Sequence, residues 1–185
     1  MKMNVDVTPR LNFKLMTPND WPLLWELDQD PAVMKYLTRG KASTQRDIKE
    51  NALPRLQAFT NDEKGWGLWQ VNITSSNTFI GWVLVRPMDF FTDNPNYNDI
   101  EIGWRFKQSS WGKGYATEAA IAICDEIKGH ANIKTLSATA LLENTASINI
   151  MKKIGMVFIK HYTHSDEYGD LAAVLYRKKI TTNNL

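Results

Sequence analysis

The chain has 185 residues, of which 43% are hydrophobic and 23% are charged, and its formal net charge is +2. These values are typical of a soluble globular protein, and we treat residues 1–185 as a single domain. The near-neutral charge argues against a dedicated nucleic-acid-binding protein, and no apolar run approaches the ~20 residues that a membrane-spanning helix needs.

The N-terminal residues and the cysteine count favour a cytoplasmic location. The first ten residues, MKMNVDVTPR, lack the apolar stretch of a secretory signal peptide. Cys124 is the single cysteine of the chain, so it cannot form an internal disulfide, which fits a reducing compartment.

The N-terminal third of the sequence predicts one strand followed by helices. Residues 10–16 alternate between polar and apolar side chains and predict a strand. Thr17 and Pro18 are residue types favoured where a helix begins, so a helix is expected to follow. Two further helices are expected, a short one within residues 28–37 and a longer one over residues 43–59.

The rest of the chain predicts six more strands and two more helices. The expected strands are 68–73, 79–85, 100–106, 134–140, 156–162 and 171–177, and the expected helices are 115–128 and 144–153. A long loop is expected at residues 86–98 and a turn at 165–170. The fifth strand follows a helix and should therefore pair in parallel with the fourth. The expected fold is α/β, a mostly antiparallel seven-stranded sheet with helices on both faces.

The connection between the fourth strand and the following helix carries Gly112 and Gly114 on either side of Lys113. Glycines let the backbone turn tightly and approach a ligand closely, and free amides at a helix N-terminus bind anions such as phosphate. Two common nucleotide motifs do not fit. A Walker A loop requires glycine where Lys107 stands, and a dinucleotide fingerprint requires glycine at Thr117. The turn therefore predicts a different phosphate-containing ligand.

The sequences EIGW at residues 101–104 and WGKGYATEA at residues 111–119 resemble the RimJ/RimL-like branch of the GNAT family of N-acetyltransferases, whose known members acetylate ribosomal-protein N-termini. The turn is similar to the acetyl-CoA loop of that family, Gln/Arg-x-x-Gly-x-Gly/Ala, with Trp111 in place of Gln or Arg. The resemblance is closest over residues 67–160. It implies the GNAT fold and acetyl-CoA as cosubstrate. The loop residues that it assigns to the cofactor are Trp111, Gly112, Lys113, Gly114, Tyr115, Ala116 and Thr117.

A second motif begins the helix after the fifth strand. Asn144 and Ser147, followed by MKKIGM at residues 151–156, resemble the Asn-x-x-Ser … Lys-x-Gly-Phe segment of the same family. The resemblance implies that Asn144 binds the pantetheine arm and that Ser147 faces the thioester sulfur. Many members carry a tyrosine one turn later as general acid, but Met151 stands there. Ser147 is therefore the candidate donor to the leaving thiolate.

The fourth strand supplies the remaining catalytic candidates. The resemblance implies direct transfer, in which a primary amine attacks the thioester and a tetrahedral oxyanion forms. A backbone N–H near Trp104 or Arg105 is expected to bind that oxyanion. Glu101 lies on the same strand face as Gly103 and is the candidate base for the amine. Two alternatives stay open: a water relay, and a purely structural Glu101 bound to a neighbouring backbone group or arginine.

The acceptor is left open among a protein N-terminus, a polyamine, an amino sugar and an amino acid. The residues expected to wall the acceptor side are acidic or aromatic: Asp28, Asp30, Asp89, Asp93, Phe90, Phe91 and Tyr97. No metal site is expected from His161 and His164, because no other ligand accompanies them. The other partner predictions are no nucleic acid, no membrane, and a monomer or homodimer. The alternative function is a non-catalytic CoA-binding or sensing module with the same fold.

Overall fold

The computed structural model describes residues 2–129, 132–166 and 169–180. Seven strands form one sheet in the order β1-β2-β3-β4-β5-β7-β6. Their bounds are β1 Leu11–Leu15, β2 Gly67–Ile73, β3 Thr78–Met88, β4 Asn96–Phe106, β5 Thr135–Leu141, β6 Val157–Asp166 and β7 Gly169–Lys179. Within the described ranges, no helix is long and apolar enough to cross a membrane.

Strand pairing confirms the predicted mixed sheet. All neighbouring strands run antiparallel except β4 and β5, which are parallel. The parallel pairing covers three residues on each strand, from Asp99 opposite Thr135 to Glu101 opposite Ser137. Beyond Glu101 the two strands have no paired residues, and a gap opens between their carboxyl-terminal ends. This gap positions the candidate site.

Six α-helical segments flank the sheet: α1 Trp21–Leu27, α2 Pro31–Met34, α3 Gln45–Asp47, α4 Leu53–Phe59, α5 Tyr115–Lys128 and α6 Thr145–Lys153. A 3-10 turn, Pro18–Asp20, leads into α1. A π-helical turn, Ile48–Ala52, joins α3 to α4, and the Leu53 amide donates to the Ile48 carbonyl. This wide turn ends two residues before Pro54, which has no amide hydrogen for a regular helical bond.

Two hydrophobic layers sandwich the sheet, which confirms that helices cover both faces. On one face, α5 and α6 pack against β4 and β5 through fully buried side chains such as Ile123, Met151 and Ile100. On the other face, α1 and α4 pack through Leu24 and Phe59. Strand β3 is apolar on both sides because each side meets a helix layer: Val83 and Val85 pack in the first, and Trp82 and Leu84 pack in the second.

Three predicted boundaries were wrong. The loop expected at 86–98 is shorter, because β3 extends to Met88 and β4 begins at Asn96. Met88 and Asn96 pair with each other across the two strands. The second helix, α2, lies within the expected range 28–37 but covers only Pro31–Met34. β6 continues to Asp166 and β7 begins at Gly169, so much of the expected 165–170 turn is strand; residues 167 and 168 lie outside the described part of the chain.

Candidate active site

A cleft of about 840 Å³ lies where β4 and β5 separate. Its walls come from α2, β4, β5, α6 and the turn that leads into α5. Of the twelve residues predicted for the site, all but Lys113 line this cleft: Glu101, Trp104, Arg105, Trp111, Gly112, Gly114, Tyr115, Ala116, Thr117, Asn144 and Ser147. Two motifs that are far apart in sequence therefore meet in one cavity.

The glycine turn presents the free amides of α5 at the cleft. Gly112 and Gly114 have φ angles of 73° and 79°, which favour glycine because a Cβ is strained there. Gly114 is the N-cap of α5, and no side chain caps this helix end. The first helical bond runs from the Glu118 amide to the Gly114 carbonyl. The amides between them, those of residues 115–117, have no helical partner and can bind an anion.

Arg10, at the entrance to β1, braces this turn. Its Nη1 donates to the Lys113 carbonyl at 2.9 Å, and its Nε donates to Glu118 Oε2 at 2.7 Å. Thr8 Oγ1 also donates to Glu118, at 2.6 Å. Partial burial alone would raise the pKa of Glu118, but these hydrogen bonds outweigh it and lower the pKa. The sequence reasoning missed Arg10, because its partners are about a hundred residues away.

Trp111 and Lys113 turn their side chains back onto the protein. The Trp111 indole Nε1 donates to the Phe106 carbonyl at 2.9 Å, although the side chain remains 48% exposed. The Lys113 ammonium donates to the Ser109 carbonyl at 2.9 Å. Both contacts stabilise the turn itself, so Lys113 has a structural partner within the loop.

The start of α6 forms the opposite wall of the cleft. Asn144 is its N-cap, and the Asn144 Oδ1 accepts from the Ser147 amide at 3.1 Å. The Asn144 Nδ2 remains available to donate to a ligand. Ser147 is half-buried and lines the cleft, whereas Met151 is fully buried in the core. The position of the tyrosine found in many relatives is therefore used here for packing.

Glu101 lies in the cleft with its carboxylate already engaged. Arg86 Nε donates to Glu101 Oε2 at 2.7 Å, which is the arginine contact considered as an alternative role. Tyr162, which the sequence reasoning did not select, sits near this group. Burial raises the pKa of Tyr162, and the charges of Glu101 and Asp89 raise it further against a lowering hydrogen bond with Thr139.

The hydrogen bonds between β3 and β4 show in which direction the backbone amides of Trp104 and Arg105 point. Lys107 N–H donates to the Ile80 carbonyl at 2.8 Å, next to the pair Phe106–Gly81. Because bonding directions alternate along an antiparallel pair, the Arg105 amide also points to β3 and the Trp104 amide points toward β5. The β4–β5 pairing has ended by this point. The Trp104 amide therefore faces the gap.

The Arg105 side chain has its own partner. Its guanidinium pairs with Asp28, which is 5% exposed and also accepts from Ser43 Oγ at 2.7 Å. Lys107 pairs with Glu26 at 2.6 Å. These ion pairs tie the end of α1 to β4.

The acidic and aromatic wall expected on the acceptor side is absent from the described lining of the cleft. Asp28 is buried against Arg105, and Asp30 caps α2 by accepting from the Ala32 amide. Phe90 and Phe91 pack on Phe59, with ring centroids 6.0 and 6.2 Å away. From the expected helical part of this wall, residues of the range 32–37, in and after α2, do line the cleft.

A metal site and the Cys124 thiol are the two remaining candidates for chemistry. The described residues contain no cluster of three or more side chains able to hold a metal ion. Cys124 is buried in α5, and burial raises its pKa to about 12. A thiol this hard to ionise is a poor nucleophile.

A sheet that separates at the ends of two parallel strands, with free helix amides beside the gap, fits a cosubstrate that has phosphates at one end and extends into the cleft. The Acetyltransferase (GNAT) domain matches residues 10–157, and the chain belongs to this family. It is a GNAT N-acetyltransferase with acetyl-CoA as cosubstrate.

One sequence relative and two solved structures illustrate this membership. The uncharacterized N-acetyltransferase YnaD of Bacillus subtilis is 33% identical over 151 residues, covering 80% of each chain. RimL, a ribosomal L7/L12 alpha-N-protein acetyltransferase solved with coenzyme A, has a TM-score of 0.75 at 13% identity, covering 95% of this chain and 97% of its own. The aminoglycoside acetyltransferase AAC(6')-Ib, also with coenzyme A, has a TM-score of 0.73 at 18% identity, covering 91% and 94%. The two structures share the fold.

Proposed function

We propose that this protein transfers the acetyl group of acetyl-CoA directly to a primary amine that is either a peptide N-terminus or a small molecule. The observation that carries the proposal is the meeting of the uncapped α5 N-terminus, the Trp104 amide and Ser147 in one cleft. Each of these groups suits a different part of a thioester cosubstrate and its reaction.

The phosphate end of the cofactor fits the turn into α5. A pyrophosphate carries the negative charge that free helix amides and the helix dipole attract. The amides of Tyr115, Ala116 and Thr117 are the donors in this assignment, and Gly114 keeps the approach open. Asn144 then donates its Nδ2 to the pantetheine arm as that arm crosses the gap. The arm directs the thioester toward β4 and Ser147.

The reacting end of the cofactor fits the gap itself. Acetyl-CoA supplies an acetyl group already activated as a thioester. The Trp104 amide is the donor assigned to the oxyanion, because it faces the gap without a strand partner. The Ser147 hydroxyl donates a hydrogen bond to the departing sulfur. A serine hydroxyl is a weak acid, so its role is to position and stabilise the thiolate.

The acceptor amine must lose its ammonium proton before it can attack the thioester. Glu101 is the candidate base, acting directly or through water, and its carboxylate is paired with Arg86. The RimL structure is that of a protein alpha-N-acetyltransferase and AAC(6')-Ib is an aminoglycoside acetyltransferase. The same fold therefore accepts both kinds of amine, and RimL supports the peptide N-terminus as one candidate.

The test is an acceptor screen with purified protein and acetyl-CoA. Release of the CoA thiol is followed with a thiol reagent, and the acetylated product is identified by mass. Acceptor-dependent thiol release with one added acetyl group per amine is the expected result. Calorimetric binding of acetyl-CoA without transfer to any amine would instead favour the non-catalytic CoA-binding module.

A further inference from the structure

The charges that line the cleft limit which amine can enter it. Among the described residues, the charged side chains of the lining are Lys35, Glu101, Arg105 and Lys153, three basic and one acidic. A polyamine or an amino sugar carries several ammonium groups, and each needs a carboxylate when it leaves water. This lining offers such acceptors little compensation.

Two of the four charges are already neutralised by the protein. Glu101 is paired with Arg86 at 2.7 Å, and Arg105 is paired with the buried Asp28. Neither pair leaves a free carboxylate for a second ammonium group. Within the described part of the chain, the lining charges without an ion-pair partner are thus Lys35 and Lys153.

The two unpaired lysines lie on elements from opposite faces of the sheet. Lys153 ends α6, on the face covered by α5, and it also borders the neighbouring groove together with Gly114 and Thr117 at the turn into α5. Lys35 follows α2, whose Val33 packs with Phe79 and Trp82 on the face covered by α1 and α4. Lys35 is therefore the unpaired lining charge on the side of the sheet opposite to α5.

The surroundings of Lys35 are apolar and aromatic. Its ammonium lies 5.0 Å from the centroid of the Tyr36 ring, which is within cation–π range. Trp82 and Leu84 of β3 also line this cleft. A single cation bordered by apolar side chains suits a partner that has one negative group and little other polarity.

We propose that the acceptor carries one amine together with a nearby anionic group that pairs with Lys35. This inference rests on the transferase function proposed above and narrows its substrate class. The shared chemistry is a carboxylate close to a primary amine. It can come from a peptide whose second residue is acidic or from a free acidic amino acid.

The experiment measures kcat/KM for matched acceptors. The panel contains Ala-Asp-Ala-amide, Ala-Ala-Ala-amide, Ala-Lys-Ala-amide, free aspartate and spermidine. The aspartyl peptide is expected to exceed the lysyl peptide roughly 1.4- to 5-fold, the effect of one exposed ion pair. The difference should shrink in high salt, because exposed charges are screened. If kcat/KM is higher for the aspartyl peptide than for free aspartate, the carboxylate comes from a peptide; the reverse order indicates a free acidic amino acid.

The variant Lys35→Glu should reverse the order of the two charged peptides. Lys41→Glu is the matched control, because Lys41 is an exposed lysine of the following connection that does not line the cleft. It should preserve the order. Preference of the wild type for spermidine or the lysyl peptide, or an unchanged order in Lys35→Glu, would overturn the inference. Absence of transfer to every acceptor would overturn the transferase proposal and this inference with it.

Discussion

Replacing Gly114 with valine tests whether the amides of α5 bind the phosphates of acetyl-CoA. Gly114 is the N-cap of that helix and has a φ angle of 79°. The obstacle to a side chain here is the left-handed backbone, which disfavours a Cβ. The Cβ itself would lie 3.4 Å from Arg10 Nη2, in the group that braces the turn, which is an ordinary contact distance.

The expected magnitudes separate a binding defect from a folding defect. The backbone strain costs about 1–2 kcal/mol, which in a protein of this size lowers the melting temperature by about 2–8 °C. A hydrogen bond to a charged group contributes about 1.5–3 kcal/mol. Loss of two amide–phosphate bonds therefore weakens acetyl-CoA binding at least about 100-fold. Calorimetric titration measures the affinity, and a thermal melt measures the stability.

Gly155→Val is the matched control. Gly155 ends α6 with a φ angle of 82°, and its Cβ would meet the flexible end of Lys178 at 3.2 Å. This variant should lose a similar amount of thermal stability and keep the wild-type affinity. If Gly114→Val and Gly155→Val bind acetyl-CoA equally well, the phosphates do not lie on the amides of α5, and the reasoning is refuted.

Four further predictions concern catalysis, acid stability and thiol reactivity. Ser147→Ala should lower kcat about 10- to 150-fold, the effect of losing one hydrogen bond to a charged thiolate, with unchanged acetyl-CoA binding by calorimetry; Thr145→Ala, on the same turn of α6, is the control, and a matching loss there would contradict the role. Glu101→Gln should lower kcat/KM most at low pH, and the defect should shrink as pH approaches the pKa of the acceptor amine; a defect independent of pH would exclude a base. Glu118 has a pKa lowered from 4.5, so its contribution to stability is complete above that value and disappears as pH falls through its folded-state pKa. Urea denaturation should therefore show Glu118→Gln less stable than wild type near neutrality and equal to it in acid, whereas a constant difference would contradict the linkage. The Cys124 thiol, with a pKa of about 12, should react with iodoacetamide only after denaturation; rapid labelling of the folded protein would show that α5 opens.

The phosphate turn was predictable because its signals are local. Alternation identifies β4, two glycines identify the turn, and helical spacing identifies α5, all within about thirty residues. The Asn144 cap and the stop at Gly155 are local in the same way. The turn residues and the hydrophobic periodicity of such elements are visible in the local sequence, so they can be predicted without knowledge of the rest of the fold.

The surroundings of the site depend on distant contacts and were not predictable. The ends of β3 and β4 were assigned to a loop because only their mutual pairing orders them. The brace from Arg10 to Glu118 joins residues 108 positions apart. Tyr162 comes near Glu101 only because β7 and β6 follow β5 in the sheet. The acidic residues expected on the acceptor side could not be judged for a related reason. A single sequence shows that Asp28 is charged, but it does not show that Arg105 neutralises it.

The central claim is that the acetyl group passes directly from acetyl-CoA to an amine within the cleft. Initial rates measured across a matrix of acetyl-CoA and acceptor concentrations test it most directly, with the best acceptor of the panel. Direct transfer predicts intersecting double-reciprocal lines and no acetylated form of the protein by intact mass. Parallel lines together with an acetylated protein would show a covalent intermediate and contradict the account.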